Sequence, residues 1–245
     1  MVRSLRTKAV AVLASLALLT GVGFTTNVLT AEPAQAASTE WVYSGGYWYY
    51  KINGVYQTEW IYDGGKWYYF QSDGRMLSNN RYLIDGKVYY FSSSGAMQTG
   101  WIYADGYWSY AYSDGSAIYT SWAKIGNSWY YFRDAVMMQD RVFVDHNNYV
   151  YGASASGAIL YNTWVTAQGK WWYMGSTGAA WGDWARFGNT WYYFDRYDGN
   201  AMVANTWKQI GGTWYFFYSS GAMATGWVKI DGTWYQFSSS GAWIG

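Results

Sequence analysis

A tryptophan followed seven residues later by a second tryptophan recurs along most of this chain. The pairs are Trp41/Trp48, Trp60/Trp67, Trp101/Trp108, Trp122/Trp129, Trp164/Trp171, Trp184/Trp191, Trp207/Trp214 and Trp227/Trp234. Two copies, Arg81/Val88 and Val142/Tyr149, keep the spacing without the tryptophans. Ten units result, starting at 41, 60, 81, 101, 122, 142, 164, 184, 207 and 227. Of the 19 tryptophans, 16 occupy the paired positions, so the repeat dominates every other signal in the sequence. Self-similarity at a period near 20 residues means small units that cannot bury a face alone and must stack on one another.

Within a unit the order is short strand, tight turn, short strand, polar loop. Dipeptides such as Asp85-Gly86, Asp105-Gly106, Gly211-Gly212 and Asp231-Gly232 lie between the paired positions. They tolerate the positive φ of a two-residue hairpin turn. The second strand is an aromatic run, as in Trp67-Tyr68-Tyr69-Phe70, made of good strand formers. A loop such as Ser92-Ser93-Ser94-Gly95-Ala96-Met97 follows. A hairpin of ~20 residues is marginal alone, so the expected fold is all-β: a β-solenoid of about ten stacked hairpins. Period-2 alternation puts Trp67 and Tyr69 on one face and Tyr68 and Phe70 on the other. One set is expected to fill an axial core and the other to remain at the surface between hairpins.

Aromatic residues make up 23% of the chain and charged residues only 13%, against about 25% charged in an ordinary domain. With a net charge of +1 and scattered Lys and Arg, the chain lacks the basic stripe of a nucleic-acid binder. It has no cysteine, which excludes a disulfide scaffold and thiol chemistry. Residues 1–36 read as a secretory signal peptide: Arg3, Arg6 and Lys8, an apolar run from Ala9 to Phe24, and Ala34-Gln35-Ala36 for cleavage. The apolar run is shorter than the ~18–20 residues of a membrane span, so no span is expected after cleavage. Residues 37–40 read as a short linker and 41–245 as the repeat domain.

The units GWVKIDGTWYQFSSSGAW (226–243), GWIYADGYWSYAYSDGSA (100–117) and TWKQIGGTWYFFYSSGAM (206–223) resemble choline-binding, or cell-wall-binding, repeats of Gram-positive surface proteins, autolysins and phage lysins. The hairpin grammar is also similar to that of glucan-binding repeats. The resemblance implies a left-handed β-solenoid with about three hairpins per turn. It also implies ligand sites between consecutive hairpins, each built from two tryptophans of one unit and a tyrosine of the next. Carried over, the cages are Trp41/Trp48 with Tyr69, Trp60/Trp67 with Tyr90, Trp101/Trp108 with Tyr131, and Trp122/Trp129 with Tyr151. The others are Trp164/Trp171 with Tyr193, Trp184/Trp191 with Tyr215 or Phe216, and Trp207/Trp214 with Tyr235. In each Trp-Tyr-Tyr run the tyrosine taken is the one that alternation sets beside the tryptophan. The resemblance also puts a methionine near the cage, matching Met76, Met97, Met202 and Met223. No cage is expected to begin at Arg81/Val88 or Val142/Tyr149.

A quaternary ammonium cannot donate a hydrogen bond, so rings must hold it, and tryptophan is the best ring for that purpose. The function implied is a secreted, wall-associated binding module without catalysis, cofactor or metal, attached through choline of teichoic acids. The alternatives are an α-glucan or wall-polysaccharide binder that uses the same rings as stacking platforms, and a structural or adhesin-like stalk. The polar positions vary from unit to unit (Lys208-Gln209 against Tyr62-Asp63), which favours the ring cage over a sugar site. His146, the one histidine, falls in a turn beside Asn147 and Asn148. Glu40 and Glu59 occupy equivalent positions before a tryptophan, a poor source of the facing carboxylate pair that glycosidic cleavage needs.

Overall fold

The computed structural model describes residues 37–245; the signal-peptide reading of 1–36 lies outside them. Among the described residues there is no α-helix, only one 3-10 turn (Arg196–Asp198), and the strands form ten separate antiparallel sheets. Each sheet is built on one hairpin. They run 39–52, 59–70, 80–91, 100–111, 121–133, 141–153, 163–174, 183–195, 206–217 and 226–237, and are numbered 1 to 10 here. Hairpins 1, 5 and 8 add a two-residue third strand, at Val55–Tyr56, Val136–Met137 and Ala201–Met202. The first strand starts at Thr39, so half of the expected linker is already sheet.

The turn chemistry explains the register. At Asp85-Gly86 both residues have positive φ, 48° and 74°, which matches the twist of a two-residue hairpin turn. That turn sets Arg81 opposite Tyr90, and the same register sets Trp60 opposite Tyr69 and Trp101 opposite Tyr110. Hairpin 6 departs from the rule. Its strands close at Val144 and Val150, with Asp145 to Tyr149 forming a longer turn. The Asp145 carboxylate organises it by accepting the N–H groups of Asn147 and Tyr149. Val150, opposite Val144, therefore takes the second tryptophan's place instead of Tyr149, which is exposed in the turn.

Consecutive hairpins are joined by one recurring backbone bond. The carbonyl at the second tryptophan position accepts an N–H from the tail of the following unit: Met76 to Trp48, Met97 to Trp67, Ile159 to Trp129 and Met223 to Trp191. Their side chains meet in a series of small clusters, each shared by neighbouring hairpins, in place of one continuous core. The residue three after the second tryptophan anchors each cluster, and Phe70, Phe132, Phe194 and Phe217 are fully buried there. The expected division into a core face and a surface face does not hold. Trp41 of hairpin 1 touches both Tyr68 and Phe70 of hairpin 2, so both faces of a hairpin are junctions.

Candidate ligand cages between hairpins

Cross-strand pairing decides which rings share a face. In hairpin 2, Trp60 opposes Tyr69 and Tyr62 opposes Trp67, so these four side chains look toward hairpin 3. Tyr68 and Phe70 point the other way, back to hairpin 1. A junction thus brings the tryptophan face of one unit against the Tyr/Phe face of the next.

Seven junctions share one ring geometry. The first tryptophan meets a tyrosine of the following hairpin: Trp41–Tyr68, Trp60–Tyr89, Trp101–Tyr130, Trp122–Tyr151, Trp164–Tyr192, Trp184–Tyr215 and Trp207–Tyr235. Centroid separations run from 4.6 Å (Trp122–Tyr151) to 5.4 Å (Trp164–Tyr192), with interplanar angles of 63° to 71°. In hairpins 1, 2, 4 and 8 the second tryptophan stands nearly perpendicular to the first, as in Trp101–Trp108 at 6.2 Å and 88°. The second tryptophans that precede another hairpin (Trp48, Trp67, Trp108, Trp129, Trp171, Trp191 and Trp214) all keep 38–44% of their surface exposed. Trp227 and Trp234, which no hairpin follows, are 63% and 59% exposed. The first tryptophans of hairpins 1, 2, 5, 7, 8 and 9 are half-buried, because their edges are packed by rings of both units.

The structure differs from the sequence reading on four tyrosines. Tyr69, Tyr90, Tyr131 and Tyr193 do not reach back to the preceding unit. Tyr69, Tyr131 and Tyr193 pack against the first tryptophan of their own hairpin, at 5.1, 5.0 and 5.1 Å, and Tyr90 has no such tryptophan to meet. The reason is the pleat: a ring on the same face as its own tryptophan faces forward, and only the next residue along the chain faces back. Tyr68, Tyr89, Tyr130 and Tyr192, not these four, are therefore the rings that meet the preceding unit's first tryptophan. Tyr151, Tyr215 and Tyr235 are where it put them. Trp243 was also missed. It donates its backbone N–H to Trp214 and adds a ring 5.9 Å from Trp207, so junction 9/10 has four rings.

At two junctions a carboxylate accepts the indole N–H of the first tryptophan. Trp41 Nε1 and Tyr50 Oη donate to the two oxygens of Asp63, both at 2.9 Å, and Trp122 Nε1 donates to Asp145 at 3.1 Å. Asp145 is buried and has no cationic partner among the described residues. Burial pushes the phenols of Tyr89 and Tyr151 above their ordinary value, so these walls stay neutral at physiological pH. Met76, Met97, Met202 and Met223 sit against the loop glycine of the following unit, where a Cβ would lie 2.1–2.3 Å from the sulfur. Their evident work is spacing successive loops. The glycines there also have φ of 80–84°, a conformation that strains any side chain. His146 is exposed in its turn, its ring parallel to Tyr131 at 6.1 Å.

The two junctions without a tryptophan pair are unlike each other. At junction 6/7, Val142 and Val150 are small, and hairpin 7 fills the space with the buried Trp172, whose Nε1 donates to Gly199 O at 2.9 Å. At junction 3/4, Arg81 and Val88 face hairpin 4, which supplies Ser109 and Ala111 where other units supply Tyr and Phe. The buried Tyr90 takes up part of that gap, its Oη 2.8 Å from Ser109 Oγ, and the space beside Arg81 and Val88 stays open. No three His, Cys, Asp or Glu side chains converge as metal ligands among the described residues, and no described helix is long and apolar enough to cross a membrane.

Comparison with known proteins agrees with the repeats and the all-β fold. The choline-binding repeat family matches residues 81–116 and 204–244, and the putative cell wall binding repeat matches 58–76, 120–135 and 162–180. Choline binding protein F from Streptococcus pneumoniae is 24% identical over 84% of this chain and 93% of its own, with a TM-score of 0.54. The choline-binding domain of CbpL from the same organism is 26% identical over 77% of this chain and 98% of its own, with a TM-score of 0.55. The modular autolysin LytC, also pneumococcal, is 32% identical over 84% of this chain, with a TM-score of 0.53; the chain spans 46% of LytC. No curated protein matches the chain.

Proposed function

Because the chain belongs to the choline-binding, or cell-wall-binding, repeat family, we propose that it is a secreted, non-catalytic module that attaches to the bacterial wall through choline on teichoic acids. The hairpins wind in this reading as a β-solenoid, and the ligand sites are the seven tryptophan junctions. One observation carries it: a half-buried or edge-packed first tryptophan, an exposed second one and a tyrosine of the next unit recur with nearly constant geometry. Three ring faces at ~1–2 kcal/mol each give roughly 3–6 kcal/mol before association costs, which corresponds to about millimolar affinity. A polymer with many cholines binds several such sites together and far more tightly. Repetition is what a weak single site requires.

The carboxylates of Asp63, half-buried, and Asp145, buried, favour a cationic ligand over a neutral sugar, because a negative charge at the ring edge attracts a quaternary ammonium. LytC has been solved with a synthetic peptidoglycan ligand, which keeps wall polysaccharide as the second reading. Retention on a quaternary-amine resin and elution by free choline is the expected result. Failure to bind that resin, with retention on dextran or isolated wall polysaccharide, overturns the choline reading.

A further inference from the structure

Junction 3/4 is a cleft of about 500 Å³, lined by Arg81, Leu83, Lys87, Val88, Ser116 and Tyr119. That is within the range of small-ligand sites, roughly 300–1,000 Å³. Arg81 stands where other hairpins have their first tryptophan. Its Nη1 donates to the Asp134 carbonyl at 3.0 Å, and among the described residues it forms no ion pair and its other guanidinium N–H groups have no acceptor. Lys87 is a second cation at the rim, only loosely held by Asp114 at 3.4 Å. The other oxygen of that carboxylate, Oδ1, accepts the Ser116 hydroxyl at 2.6 Å and its N–H at 2.9 Å. The tail N–H of Ala117 still donates to Val88 O at 2.8 Å, so the hairpins remain joined and the opening is bounded on both sides.

A quaternary ammonium has no reason to enter. The ring pair is gone and two cations repel it. An oxyanion meets the opposite situation: a planar guanidinium fork with free donors, a lysine, and the phenol of Tyr119 at the mouth. We infer that the junction 3/4 cleft is an anion site that takes a phosphate group, with Arg81 as the fork and Lys87 as the second cation. The ligand class is a phosphate monoester or diester. The site stands whether or not the tryptophan junctions hold choline, since none of its residues belongs to a cage.

Inorganic phosphate titrated into the purified chain at constant ionic strength, read by the Arg Nε–H resonances, tests this. The expected result is a saturable shift of the Arg81 signal. Reading the same titration from a Tyr119 ring resonance, Arg81→Gln weakens binding about tenfold or more and Arg81→Lys less, because lysine keeps the charge and loses the fork. Val88→Trp, which leaves Arg81 in place and fills the cleft, abolishes saturation. A thermal unfolding curve for each variant separates lost binding from lost folding, and Arg81 is exposed enough for its substitutions to fold. Phosphocholine and dimethyl phosphate, titrated separately, distinguish a terminal monoester from a chain diester. No saturable shift, or unchanged phosphate affinity in both Arg81→Gln and Val88→Trp, overturns the proposal.

Discussion

Junctions 3/4 and 6/7 both begin without a tryptophan pair, yet one is an open cleft lined by Arg81 and the other is filled by Trp172. Both nevertheless keep the backbone bond that joins one hairpin to the next: Ala117 N–H to Val88 O at 2.8 Å, and Ala180 N–H to Val150 O at 2.7 Å. The tryptophan junctions have the same bond at the same place, as Met76 to Trp48 at 2.9 Å. Stacking therefore does not need the pair. Where the pair is lost, packing can be restored by one ring from the opposite side, or only in part, as by Tyr90 at junction 3/4. The eight pairs that persist are in excess of what the fold requires, which is the physical reason for assigning seven of them to a ligand.

The largest expected effect separates a filling ring from a ligand ring. Trp172→Ala should cost ~3–5 kcal/mol, because it empties a closed site and strands the Gly199 carbonyl, and it should leave choline affinity unchanged. Urea unfolding with a choline titration checks both halves. Choline itself comes next: ~100 mM on sites of ~1 mM should add roughly 2.7 kcal/mol per occupied site, seen as a rising melting temperature. An unmoved melting point in choline, with a rise in dextran, would reverse the assignment of the pairs. Trp108→Ala should be milder for stability, about 1–2 kcal/mol, since its ring is 38% exposed, while abolishing the Trp101/Trp108/Tyr130 site. Phe132→Ala, under the same junction but fully buried, should reverse that pattern with ~3–5 kcal/mol lost.

The smallest effect is with pH. Burial alone would raise the Asp195 carboxyl, but the Lys208 ammonium and the Tyr197 N–H hold it below its ordinary value. The hydrogen bond to Asp195 raises Lys208 in turn. A depressed acid contributes stability above pH 3.8 that is lost as pH falls through its folded value, and a raised lysine contributes below pH 10.5 and loses it above. Stability from this pair should be flat between those limits. A melting temperature followed from pH 3 to 9 checks the acid limb.

The repeat, the all-β class and the hairpin register of nine units were legible because Trp spacing and turn glycines are local signals. What escaped was the direction in which rings face. Alternation correctly put Tyr131 beside Trp129, but the structure uses that face for Trp122 of the same hairpin and leaves Tyr130 to reach Trp101. Nothing in a single strand says which of its faces looks back. Hairpin 6 was misread by one residue because its long turn, closed by Asp145, breaks the seven-residue rule at Tyr149. Trp172 was unassigned for a related reason: its role appears only beside the small Val142 and Val150 of another unit.

The most direct test of the central claim follows the indole N–H signals of all the tryptophans by NMR as choline is added. The account predicts saturable, millimolar shifts for tryptophans of the seven junctions, with the Trp172 signal, buried and bonded to Gly199, unmoved. Shifts absent from the paired tryptophans, or no larger there than at Trp172, would contradict it.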